Sequence, residues 1–104
     1  MDVELLFIDG CPNWREELDE LRQILRTHGQ PDEVSLVKVA SREDAERLRF
    51  AGSPTVRVDG RDVDPNPPQT GFNIECRIYW VEGRAVRRPP HAWVIEALRN
   101  SENR

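Results

Sequence analysis

The chain has 104 residues, of which 33% are charged and 38% hydrophobic, and carries a net charge of -4. That length supports one domain around one core and not two. The acidic balance argues against a nucleic-acid or anionic-membrane surface, since both need a concentrated positive field.

Residues 3–9, VELLFID, form a nearly continuous apolar run ended by Gly10, the pattern of a central strand covered on both faces. Apolar residues then recur at Trp14, Leu18, Leu21, Leu25 and His28, one stripe of a helix whose opposite face carries Glu16, Glu17, Asp19, Glu20, Arg22 and Arg26. Pro12 suits the first turn of that helix and Gly29 with Pro31 stops it, so Cys11 falls at or just before a helix N-terminus. A second strand is expected over residues 33–40. Ser41 with Asp44 resembles a capping box for a short helix over residues 42–50, closed by Gly52. This strand–helix alternation predicts a parallel strand pair joined by a crossover. In GSPTVRVDG, Val56 and Val58 alternate with Arg57 and Asp59 before an Asp59-Gly60 turn signal, which predicts a third strand with Pro54 at its mouth. Residues 61–75 hold Pro65, Pro67, Pro68 and Gly71 and read as a long irregular loop. Cys76, Ile78 and Trp80 alternate with Arg77, Tyr79 and Val81, as a fourth strand with one face inward would. Pro89 and Pro90 start a last helix over residues 91–99, and residues 101–104 are expected to fray, leaving residues 1–100 as the domain.

Taken together, GCPNW at a helix start and GSPTVRVDG at a strand mouth resemble the thioredoxin-like superfamily in its minimal, glutaredoxin-sized form. The resemblance implies an α/β fold of order βαβαββα, a four-stranded mixed sheet with helices on both faces, and a cis Pro54 set beside Cys11. It also implies that Pro12, Trp14, Ser53, Pro54 and Thr55 border the groove where a partner is bound. Trp14 stands where such a redox motif would carry its second cysteine, and an indole cannot resolve a mixed disulfide. Helical spacing also puts Trp14 on the buried stripe, as a core anchor. Cys11 then works alone, with an external thiol resolving the intermediate, or with Cys76. If the third and fourth strands pair antiparallel, Cys76 lies roughly 15–20 Å from the active end, beyond the roughly 7 Å between Cα atoms that a disulfide tolerates. The long loop before it leaves another route, in which the chain returns and brings Cys76 to Cys11.

A cysteine at a helix N-terminus is favoured as thiolate, the form that attacks disulfides. The sequence therefore predicts a monothiol exchange or thiol-binding protein with Cys11 as nucleophile and a protein or small-molecule thiol or disulfide as partner. No cofactor, metal, nucleic acid or membrane is called for. Two rivals stand beside it: a thioredoxin-fold adaptor without turnover, and soft-metal or organomercurial handling by Cys11 with Cys76, the latter suggested by similarity to small bacterial thioredoxin-fold proteins whose names invoke organomercurial lyase. His28 and His91 have no ligand-like partner at helical spacing. Asp59, Asp62 and Asp64 form an acidic loop read as solvated rather than cation-binding, and Arg84, Arg87 and Arg88 read as a solvated turn or as a holder of a carboxylate. No basic-then-apolar leader opens the sequence, and the longest apolar run, residues 5–8, is far short of the roughly 20 residues of a membrane helix. A cytoplasmic location is expected, where cysteines serve as thiols more often than as permanent staples.

Overall fold

β1 (Val3–Phe7) is the hub of the molecule in the computed structural model, which describes residues 1–103. Val3 and Leu5 on one face and Leu6 on the other are all buried, so both faces need cover, as the unbroken apolar run requires. β2 (Ser35–Lys38) pairs parallel with β1, and β3 (Thr55–Val58) pairs antiparallel on its other side. β4 (Arg61–Asp62) pairs antiparallel with β3 and completes a four-stranded mixed sheet of order β2-β1-β3-β4. The chain is thus α/β.

α1 (Asn13–Thr27) buries Leu18, Leu21 and Leu25 of the expected stripe and Ile24 beside them, while His28 at the stripe's end is exposed. With α3 (His91–Glu102), which contributes Val94 and Leu98, it covers the face that presents Val3, Leu5, Val56 and Val58. Each fully buried leucine here contributes about 2 kcal/mol. α2 (Arg42–Arg47) lies over the other face, where Ala45 and Phe50 pack with Leu6 and Val39. The Asp44 N–H donates to Ser41 Oγ at 3.1 Å, so the capping signal is real. Among the described residues no helix is long and apolar enough to cross a membrane.

β2 and α2 are shorter than the sequence reading has them, and larger differences follow at the fourth strand and the last helix. The fourth strand of the sheet is not residues 76–81 but the two-residue β4. Asp59 and Gly60, at φ 52° and 81°, turn the chain straight back from β3, and a return strand that short has no periodicity to betray it. β5 (Tyr79–Val81) instead pairs with β6 (Arg84–Val86) in a separate hairpin, closed by a second left-handed pair, Glu82 and Gly83. α3 also runs past residue 99 and takes in Ser101 and Glu102, part of the expected frayed tail. Side-chain bonds from Ser101 to Asp59 and from Gln30 to Glu102 pin that last turn. Arg104 lies outside the described residues.

Candidate functional site

Pro12 is the N-cap of α1, so Cys11 directly precedes the helix and its sulfur lies near the positive end of the helix dipole. Cys11 is wholly buried, at 0% exposure, and is disulfide-bonded to Cys76, 65 residues further on, across a Cα separation of 5.8 Å. Of the two routes left open for Cys76, the returning loop is the one the structure takes. One expectation falls: Cys11 is not an open thiol facing solvent. Both follow from the true fourth strand: once β4 has closed the sheet edge, residues 63–75 are free to lead the chain back to the mouth of β3.

The returning segment docks by backbone pairing. The Ser53 N–H donates to the Glu75 carbonyl at 2.8 Å, and the Arg77 N–H donates to the Ser53 carbonyl at 2.9 Å. Ser53 and Cys76 thereby form a parallel bridge beside the cis Ser53–Pro54 bond. Gly52 makes the approach possible. A Cβ there would sit 2.7 Å from Arg77 Cβ and 2.8 Å from its Cα, and its φ of +120° is one that side chains rarely adopt.

Arg77 and Tyr79 lock the segment in place. Arg77 is only 2% exposed. Its Nη1 donates to Asp62 at 2.7 Å and to Thr55 Oγ1 at 3.2 Å, its Nη2 donates to Asp64 at 3.2 Å, and its guanidinium lies 4.1 Å from the Tyr79 ring centroid. The Tyr79 hydroxyl donates to the Pro54 carbonyl at 2.5 Å, and burial raises its pKa. The Thr55 hydroxyl donates to the Gly52 carbonyl at 2.6 Å. The alternation left the inward face of this segment open, and the structure settles it. Arg77 and Tyr79 are buried, while Cys76, Ile78 and Trp80 are exposed residues. The period of two was visible in the sequence, but its polarity was set by two carboxylates and a carbonyl waiting underneath.

The remaining predicted residues sort by this latch. Ser53, Pro54 and Thr55 are buried; Ser53 Oγ accepts from the Ile8 N–H at 3.2 Å, tying the end of β1 to the same loop. Trp14 is half-buried and stacks on Phe7 with ring centroids 4.2 Å apart, while Pro12 is exposed. Asn13 Nδ2 lies 3.9 Å from Cys11 Sγ, which is also 3.6 Å from the Ser53 carbonyl. Asp62 and Asp64 take a guanidinium instead of solvent, and Asp59 accepts from the Asp2 N–H at 2.8 Å. Arg88 is spent on Glu20 at 2.7 Å and on Glu17 at 3.4 Å, and His91 Nδ1 lies 3.0 Å from Glu20. His28 is exposed. Glu17, assigned above to the solvent face of α1, is 1% exposed. Desolvation, then repulsion from Glu20, pushes its pKa up to about 8 against the pull of Arg88.

Sequence reasoning missed Arg77, Tyr79 and Gly52. The available signal was a single arginine inside an otherwise apolar alternating run, downstream of two closely spaced aspartates. Chemically, the site is a disulfide between a buried residue, Cys11, next to a helix N-terminus, and an exposed one, Cys76. No protein-family model, curated protein or solved structure matches the chain, so this geometry is the basis for a functional assignment.

Proposed function

We propose that the chain is a thioredoxin-like thiol–disulfide exchange protein that works through the Cys11–Cys76 couple. Cys76 is the sulfur that meets the partner, and Cys11 is the sulfur that leaves or resolves. The observation that carries the reading is the asymmetry within one bond: Cys76 is exposed, whereas Cys11 has no exposed surface. An incoming thiolate reaches only the Cys76 side. Attack there forms a mixed disulfide on Cys76 and releases Cys11 as a thiolate, which the helix N-terminus and the Asn13 amide favour. In the opposite direction the Cys76 thiolate attacks a partner disulfide, and Cys11 then displaces the partner by closing the intramolecular bond. This assigns the nucleophile to Cys76 and replaces the single-sulfur scheme with a two-sulfur one. The sheet order β2-β1-β3-β4, with the Cys11 helix following β1 and a cis proline opening β3 beside the cysteine, supports the thioredoxin-like reading.

The test is a redox titration in glutathione buffers, read by gel shift after maleimide trapping, with alkylation rates for each cysteine. We expect reversible behaviour within the range of exchange proteins, roughly -120 to -270 mV, with Cys76 alkylated faster than Cys11 in the reduced protein. Cys11→Ser should accumulate a mixed disulfide on residue 76. A couple that stays oxidised below about -300 mV, and opens only when the chain unfolds, would make the bond a structural staple and overturn the proposal.

A further inference from the structure

The inward turn of Arg77 and Tyr79 leaves the segment's large apolar residues exposed. Ile74 is 45%, Ile78 55% and Trp80 66% exposed, and Cys76 is exposed between them. Scattered exposed apolar residues need no explanation, but Cys76, Ile78 and Trp80 stand at every second position, about 7 Å apart along an extended chain, and Ile74 lies in the bend just before them. The stripe continues at both ends. Across β5 and β6, Trp80 faces Ala85, which is also exposed. Beside Ile74 opens a groove lined by Ile8, Gly10, Val39 and Ala40, directly next to Cys11 in the chain, and its rim charges Asp9 and Lys38 are paired at 2.7 Å.

We infer that this stripe is the docking surface for a partner polypeptide whose reacting cysteine lies between apolar residues. The inference rests on the exchange reading above, because the exposed residue Cys76 is what identifies the occupant. An apolar flank of the partner lies along Ile78 and Trp80, the other reaches the groove beside Ile74, and its thiol is then delivered to Cys76. The same surroundings disfavour small acidic thiols. Arg77, the nearest cation in sequence, is buried and committed to Asp62 and Asp64, while the exposed Glu75 carboxylate adjoins Cys76. In the exchange the partner's thiolate forms a bond to Cys76 Sγ as the Cys76–Cys11 bond breaks, with the electron pair left on Cys11 Sγ. A second partner thiolate then displaces Cys76. Two partner thiols thus become one disulfide as the chain's own disulfide takes up two electrons.

The experiment measures second-order rates of reduction of the oxidised full chain by three thiols at one pH: a short peptide with isoleucine and valine flanking its cysteine, the same peptide with serines there, and 2-mercaptoethanol. The apolar peptide should react about tenfold faster than the serine peptide, the effect of burying part of one or two apolar side chains. In Ile78→Ser/Trp80→Ser that ratio should fall toward one, with the 2-mercaptoethanol rate unchanged as evidence that fold and disulfide are intact. Equal peptide rates in the wild-type chain would overturn the docking inference and leave the exchange reading standing. A double variant that slows all three thiols equally would also overturn it. Failure of every thiol to reduce the folded chain would overturn both.

Discussion

Residues 1–62 with α3, and the latch segment between them, are held by different physics. The first region is a sheet and its helices joined by apolar burial: Leu5, Leu21 and Val56 are all at 0% exposure in one cluster. The latch is held by one disulfide, two backbone hydrogen bonds to Ser53, one tyrosine hydroxyl and one buried arginine with two carboxylate partners. Burial area is non-directional and reports itself as periodicity. Polar latching is directional, and depends on which groups happen to lie opposite. That is why the same alternating pattern named the buried face in β3 and left it open in residues 76–80.

Removing Arg77 should produce the largest effect. Arg77→Ala leaves Asp62 and Asp64, at 11% and 12% side-chain exposure, without their cation, a loss expected to cost about 3–5 kcal/mol. Urea unfolding measures it, and a change under about 1 kcal/mol would show that the ion pairs are not what holds the segment. Reduction of the disulfide comes next. It restores the freedom of a loop of 65 residues in the unfolded chain, worth about 4 kcal/mol by loop-closure entropy. Hydrogen exchange should then show the Ser53 and Arg77 amides losing protection while those of β1 keep theirs; uniform loss would erase the distinction between the two regions.

Gly52→Ala tests the junction between them. The clash with the Arg77 backbone, together with the positive φ, should cost about 2–3 kcal/mol, and the disulfide should become more easily reduced, read by the same thiol titration. Glu17 gives the smallest and most local effect. Its folded pKa is raised from 4.5 to about 8, so the folded state favours the protonated form. Its contribution is therefore fully present below pH 4.5 and lost as pH rises through about 8. Glu17→Gln should flatten that decline by roughly 1–2 kcal/mol between mildly acidic and mildly alkaline pH, seen in denaturation midpoints. A slope unchanged by the substitution would place the titration elsewhere.

By itself the sequence determined the hub strand, the α1 stripe, the parallel β1–β2 pair, the Ser41 cap, the position of Cys11 ahead of a helix and the third strand opening at Pro54. Each is written in local periods and turn residues, which act over a few positions. Only the tertiary structure decided that the Asp59-Gly60 turn leads directly into the fourth strand, that the loop returns Cys76 to Cys11, that Arg77 and Tyr79 face inward, and that Glu17 is buried. Those outcomes depend on contacts between residues far apart in the chain, such as Arg77 with Asp62 or Tyr79 with Pro54. No local pattern encodes them, because the partner that gives a side chain its direction is absent from its own stretch of sequence.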